Sequence, residues 1–329
     1  MTTLFFNNIN LGITSKCNAE CDYCNRKTFK DFPNMNTQMP LDTFKKILNH
    51  TNHIEFCGSY GDFINHSDGL SFLEETLKRN IKFNIETNAG CRDEIYWKEL
   101  AKLCNNENAY VQFSIDDIKN ERNPYRKVHT QTVLNNLDTF IKYGGYAVVK
   151  TLLFKFNEDY IEEMQSYFMK LGVKKYLKQY SMIYEEGDLS APISCLYKQG
   201  TLPYIYTLSE KITQIPKVCP WANGKWLYIL DNGEVHPCCY IVSYAAEIKD
   251  TMPFVSQYTD YDQYGELYKI YLKNKDLINL NTKGVTLESA YNNEYNLYIK
   301  NNFQNIPRCV KRCGLNNIIK DPISGIIND

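Results

Sequence analysis

The chain has 329 residues, 43% of them hydrophobic, and a formal net charge of −1. That hydrophobic share is enough to bury a sizeable core and excludes a disordered chain. The charge balance gives no global field for nucleic acid or an anionic membrane, and no apolar run approaches the ~20 residues of a membrane span.

Residues 1–11 hold neither a basic region nor a long apolar stretch, so no export signal is expected and the compartment reads as reducing cytoplasm. Against that setting 12 cysteines are many, and metal ligation is a better account of them than disulfides. Cys17, Cys21 and Cys24 stand together, and Cys219, Cys238, Cys239, Cys309 and Cys313 fall in the last third. Cys57, Cys91, Cys104 and Cys195 are scattered and read as small buried residues.

From the start to about residue 181 the pattern predicts strands at Ile9–Ile13, His53–Cys57, Lys82–Thr87, Tyr110–Ile115, Ala147–Phe154 and Tyr176–Ser181. Amphipathic helices are expected over Pro40–His50, Asp68–Lys78, Asp93–Cys104, Thr130–Tyr143 and Glu158–Leu171, the fourth stopped by Gly144-Gly145. Such a series of βα units argues for an α/β fold with parallel strands and right-handed crossovers. Periodicity does not separate a flat doubly wound sheet from a curved, partial barrel, but either puts a ligand site at the carboxyl ends of the strands. A linker is expected over 184–217, where Pro192, Pro203 and Pro216 break a weak pattern. A hairpin follows, Lys225–Leu230 and Glu234–Tyr240 around Asn232-Gly233. A polar, Tyr-rich segment then runs to Phe303.

Just after the first strand the chain reads Thr14-Ser-Lys-Cys17-Asn-Ala-Glu-Cys21-Asp-Tyr23-Cys24. Three thiolates on one loop can converge on one metal centre. A closed structural zinc site wants four ligands, and no fourth Cys or His is near. Three cysteines suit a [4Fe–4S] cube with one iron left open.

This loop resembles the signature of the radical S-adenosylmethionine (SAM) superfamily, C-x3-C-x-aromatic-C, with Tyr23 as the aromatic residue. The resemblance implies that Cys17, Cys21 and Cys24 bind three irons and that SAM chelates the fourth. Reductive cleavage would then give a 5′-deoxyadenosyl radical. It implies a partial (β/α)6 barrel of radical SAM type over residues 1–183, and an electron donor such as flavodoxin or ferredoxin. Later motifs keep the family's order. Gly58-Ser-Tyr-Gly61-Asp62 stands where the family has Gly-Gly-Glu-Pro, with one glycine displaced and Glu-Pro missing; as an alternative it is a plain strand-to-helix turn. Glu86-Thr87-Asn88 resembles the family's Thr-Asn-Gly, and Ser114-Ile-Asp116 its Ser-Ile-Asp, while Arg126 stands at the place of a family arginine. By resemblance Tyr23, Gly58, Gly61, Asn88, Ser114, Asp116 and Arg126 would contact SAM. Ser114 and Asp116 would alternatively only cap the next helix.

Cys219-Pro-Trp221, then His236-Pro-Cys238-Cys239, then Cys309-Val-Lys-Arg-Cys313 resembles a SPASM or shortened twitch extension. That implies a small C-terminal iron–sulfur domain over 218–329. Cys219, Cys238, Cys309 and Cys313 would hold an auxiliary [4Fe–4S] cluster, with Cys239 able to replace Cys238. Four cysteines also suit zinc. The expected function is a radical SAM oxidoreductase acting on a peptide or protein side chain, or on a small metabolite. The rival class is a non-catalytic Fe–S or zinc protein that binds a partner. A loop beginning at Cys17 leaves no room for a peptide-recognition domain before it, so a separate protein would have to supply one.

Overall fold

The computed structural model describes residues 4–22, 24, 26, 36–58, 60–181, 187–192, 219, 226–239, 241, 261–306, 309 and 326–327. Its centre is a sheet in which six parallel strands stand in sequence order: β1 (Asn8–Leu11), β2 (His53–Phe56), β3 (Lys82–Thr87), β4 (Ala109–Ser114), β5 (Ala147–Leu153) and β6 (Lys175–Tyr180). Strands that follow one another without a reversal have no switch point, so same-handed crossovers carry every helix to one face. The other face then becomes the inside of a curved sheet. This settles what periodicity left open: the sheet is an α/β sheet in sequential strand order, and not a doubly wound one.

The two faces are written in the alternation of the strands. Ile9, Leu11, Ile54, Phe56, Phe83, Ile85, Val111, Phe113, Ala147 and Val149 are buried on the helix side. They pack with residues of α2 (Gly69–Leu77), α3 (Glu94–Leu103), α4 (Thr130–Lys142) and α5 (Ile161–Leu171), including Phe72, Trp97, Phe140 and Phe168. Trp97 stacks on Phe113 with centroids 5.6 Å apart. The alternate residues Asn10, Glu55, Asn84 and Tyr110 lie in register across β1 to β4 on the inner face, so that face is polar.

The helix expected over Pro40–His50 is instead α1 (Leu41–Lys45) followed by a separate 3₁₀ turn, Leu48–His50. The Lys46 N–H bonds to Thr43 O, which tightens the last turn and ends the α-helix. At α4 the stop is as expected: Gly144 has φ +86°, and Gly145 N–H donates to Phe140 O at 2.9 Å.

The hairpin after the linker does not start a new sheet. Its strands β7 (Trp226–Ile229) and β8 (Val235–His236) extend the same one, β7 pairing parallel with β1 and β8 antiparallel with β7. Gly233 at φ +86° makes the turn between them. Helices α6 (Tyr261–Asn274), α7 (Leu287–Tyr291) and α8 (Glu294–Asn302) follow, and β9 (Ile326–Ile327) caps the far edge against β6. A second apolar cluster, with Ile241, Leu267, Ile278, Tyr295, Ile299 and Ile306, forms under these elements. Among the described residues no helix is long and apolar enough to cross a membrane.

Candidate active site at the carboxyl ends of the strands

The cysteine loop leaves β1 and is fixed by backbone bonds on three sides. Ser15 N–H donates to Thr37 O at 3.1 Å, Asp62 N–H to Lys16 O at 2.9 Å, and Glu20 N–H to Arg126 O at 3.1 Å. The loop thus touches the segments after β1, β2 and β4 at once. Gly61 makes the closest of these approaches possible, because a Cβ there would sit 1.9 Å from Thr14 O. A Cβ on Gly58 would lie 2.5 Å from Gly61 O. Both glycines therefore serve backbone-to-backbone contact around the loop.

Cys17, Cys21 and Cys24 are free thiols, each half-buried. Burial, then the charge of Asp62, pushes the Cys17 thiol up to about 12. Burial also raises Cys21, partly offset by Arg126. Buried thiols of this kind stay protonated unless a metal takes the proton's place. Among the described residues no three His, Cys, Asp or Glu side chains close on one point as around a single ion. A cube spreads its ligands over separate irons, and three half-buried thiols on one loop, with Cys21 close enough to interact with both Cys17 and Cys24, fit that group.

Asp62 organises the next layer. It is 6% exposed. Its Oδ2 accepts the Asn88 N–H at 2.7 Å and Asn88 Nδ2 at 2.6 Å, while Oδ1 accepts the Ile64 N–H at 3.3 Å. Asn88 in turn donates to Cys17 Sγ at 3.6 Å and pairs with Asn18. The chain beyond Asn88 turns through Ala89 at φ +54°, a left-handed conformation costly for a residue with a Cβ. Asn136 of α4 holds that turn by donating to Ala89 O at 2.8 Å.

Asp116 and Arg126 form the second charged element. Asp116 is fully buried; its Oδ2 accepts Arg126 Nε at 2.6 Å and its Oδ1 accepts the Leu152 N–H at 2.8 Å. It caps no helix: α4 starts at Thr130, and the turn at Lys119–Asn120 is capped by Asp117. Burial works against the Arg126 guanidinium, but the Asp116 charge and hydrogen bond, together with Cys21 and Tyr125, outweigh it and raise its pKa. Ser114 ends β4 on the inner face, buried at 8% exposure. Tyr23, the aromatic residue of the motif, lies outside the described residues.

In the C-terminal part, Cys238 and Cys309 are buried in the second apolar cluster, with Cys219 and Cys239 packed against it. Burial and then the nearby thiols of Cys239, Cys309 and Cys219 hold the Cys238 thiol well above its ordinary value. Segments far apart in sequence thus bring four cysteines together. Cys313, Trp221 and Cys195 lie outside the described residues.

Sequence reading alone passed over Asp62 as a site residue, together with Asn136 and Asp231. Asp231 follows β7 and accepts hydrogen bonds from Thr37 and Ser15, which ties the hairpin to the cysteine loop. An acid flanked by Gly58 and Gly61 was the available signal for Asp62; nothing local marked the other two.

Residues 11–168 match the model of the Radical SAM superfamily. A Pyrococcus furiosus protein, named as a tungsten-containing aldehyde ferredoxin oxidoreductase cofactor-modifying protein, is 26% identical over 262 residues, 69% of each chain. SuiB of Streptococcus suis bound to S-adenosylmethionine superposes with a TM-score of 0.55 at 16% identity, covering 81% of this chain and 68% of its own. anSMEcpe with bound AdoMet superposes at 0.52 and 16% identity, covering 89% and 83%. These two likenesses speak for the fold.

Proposed function

We propose that this chain, whose residues 11–168 match the model of the Radical SAM superfamily, is a radical SAM oxidoreductase removing hydrogen from a peptide or protein side chain. When bound to the loop, the [4Fe–4S] cluster and SAM supply a 5′-deoxyadenosyl radical. Cys17, Cys21 and Cys24 would hold the cluster. Asp62 fixes Asn88 beside Cys17, and Asp116 fixes Arg126 over the loop, so these pairs would orient SAM, with Ser114 facing it from β4. Gly58 and Gly61 would let the loop and the SAM-binding backbone close together, and Tyr23 completes the motif. The single observation that carries this reading is the convergence of the cysteine loop with Asp62–Asn88 and Asp116–Arg126 at the strand ends.

A peptide substrate is supported by the two structural relatives, which also align in forms bound to the precursor peptide SuiA and to the Kp18Cys peptide. A small metabolite is the alternative substrate class. The second cluster would be held by Cys219, Cys238, Cys309 and Cys313. Cys238 is preferred over Cys239 because Cys239 also packs on Tyr60, Tyr228 and Leu230, away from that core. Residues 184–217 would link the barrel to this part, and flavodoxin or ferredoxin would donate electrons in a reducing cytoplasm. The test is anaerobic incubation with SAM, reductant and candidate peptides. It should yield 5′-deoxyadenosine, methionine, and a peptide that has lost hydrogen or gained a crosslink. Fully loaded protein that makes no 5′-deoxyadenosine refutes the proposal.

A further inference from the structure

Arg26 stands two residues beyond Cys24 and folds back over the cysteine loop. Its Nη1 donates to Cys17 O at 3.4 Å and to Ala19 O at 3.3 Å, which holds the guanidinium against the backbone of the first ligand. Its Nε is buried and has no hydrogen-bond partner among the described residues. No carboxylate among them pairs with Arg26 either. Acids beside the loop are taken by other cations, Asp22 by Lys127 at 2.8 Å and Asp116 by Arg126 at 2.6 Å.

Both features are costly as they stand. A buried N–H without an acceptor costs about 1–3 kcal/mol, and more when the group is charged. A cation drawn out of water without a counter-ion loses hydration with no compensating attraction. A guanidinium offers five N–H donors in a fixed fork and accepts nothing, so bonds from one nitrogen to two carbonyls leave it unsaturated. What would relieve it is an acceptor that is also an anion, close to Cys17. A [4Fe–4S] cube held by three thiolates is such a group: it is an anion in both oxidation states, more so when reduced, and its sulfurs accept hydrogen bonds. The Arg26 charge already acts on the Cys17 thiol, opposing the upward push of burial and of Asp62. Asn88 Nδ2 shows that an N–H can reach this sulfur, donating to Cys17 Sγ at 3.6 Å.

We infer that Arg26 is a cluster-binding residue: its Nε–H donates to a sulfur of the cluster held by Cys17, Cys21 and Cys24, and its charge favours the reduced state of that cluster. This rests on the reading of the loop given above and adds how the loop sets the cluster's potential. Hydrogen bonds to sulfur and nearby positive charge both stabilise the more negative, reduced form, so Arg26 makes the cluster easier to reduce. Arg126 does not duplicate this role, because its Nε is committed to Asp116.

The experiment uses the full chain, grown with arginine carrying nitrogen-15 at Nε, reconstituted anaerobically, reduced with dithionite and read by pulsed electron paramagnetic resonance. The cluster on the loop is told from a second one by the change in its signal when SAM is added. That signal should carry a nitrogen-15 coupling in the parent protein and lose it in Arg26→Lys, whose side-chain nitrogen is unlabelled. In a redox titration, Arg26→Gln should lower the ratio of reduced to oxidised cluster at fixed potential by about tenfold, a downward shift of about 59 mV for one electron. Arg26→Lys, which keeps the charge, should shift it less. A residue that only pinned the loop through Cys17 O and Ala19 O would change iron content without giving the coupling. Loaded parent protein with no coupling, a coupling that survives in Arg26→Lys, or a loaded Arg26→Gln variant with unchanged potential overturns the inference. Should Arg26→Gln fail to hold the cluster, the labelled parent and Arg26→Lys decide. Parent protein that takes up no iron on Cys17, Cys21 and Cys24 refutes the reading of the loop, and the inference with it.

Discussion

Asp62→Asn is the sharpest probe of the site's architecture, because the substitution keeps volume and changes only charge and hydrogen-bond polarity. Both carboxylate oxygens face N–H donors: Oδ1 the Ile64 amide, Oδ2 the two nitrogens of Asn88. An amide has one oxygen, so either rotamer turns an NH₂ group onto a donor. With the oxygen kept on Asn88, the Ile64 N–H is stranded at a cost of about 1–3 kcal/mol. The two bonds to Asn88 also lose their charge, and charge-assisted bonds are about twice as strong as neutral ones. Against this, burial already raises the Asp62 pKa, so a neutral residue avoids the desolvation of an ion there. The balance is a loss of about 2 kcal/mol, or roughly 30-fold in a local opening equilibrium. Hydrogen–deuterium exchange of a peptide spanning Glu86 to Gly90 reads this directly, and the same sample should bind SAM more weakly as Asn88 loses its anchor. Unchanged exchange at Asn88 in a folded variant would show that Asp62 does not pin the strand end, and the argument for its role would fail.

Three further outcomes are expected. Anaerobic reconstitution should load about eight irons as two [4Fe–4S] clusters, and changing Cys17, Cys21 and Cys24 together to Ala should leave about half and abolish SAM cleavage; zinc without iron in the remaining site would refute the auxiliary cluster. Arg126→Met should cost about 3–5 kcal/mol in urea unfolding, since it leaves the enclosed Asp116 charge without its partner; a loss below 1 kcal/mol would show that the pair is dispensable. Asp231 is held by burial at a pKa of about 7, above the ~3.9 of an unfolded chain. The folded state therefore binds its proton more tightly, and its contribution to stability is full below pH ~4 and falls as pH rises to about 7. Asp231→Asn should remove that decline, which amounts to about 2.5 kcal/mol between pH 5 and pH 7.5, as seen in urea unfolding at those two values; parallel curves for the two proteins would contradict the shifted pKa.

The auxiliary site invites a different test. If protein thiolates hold every iron there, substrate cannot bind that cluster, and its role is to accept an electron or to brace the C-terminal part. A variant with Cys309→Ala and Cys313→Ala that still forms 5′-deoxyadenosine but no oxidised product would identify the electron acceptor, whereas full product formation would eliminate that role.

The sequence by itself determined the local elements and the chemistry of one loop. Strand residues alternate between a face that must be apolar and a face that need not be, and this periodicity placed β1 to β6 within a residue or two. The cysteine spacing in Cys17–Cys24 is likewise local, since three ligands on one short loop need no distant partner. Only the tertiary structure decided what depends on which segments meet. It decided that strand order is sequential, so the helices share one face and the other becomes a polar interior. It joined the C-terminal hairpin to β1, and Asp231 to Thr37, 194 residues apart in sequence. It gathered Cys219, Cys238 and Cys309 into one core, and it brought Asp62 under Asn88. Glu55, Glu86 and Lys150 show the difference most plainly: each is an ordinary charged residue in a strand, and only the pairing of β2 to β5 side by side brings them close enough to interact. Periodicity records which way a side chain points from its own backbone; it carries no record of what lies opposite.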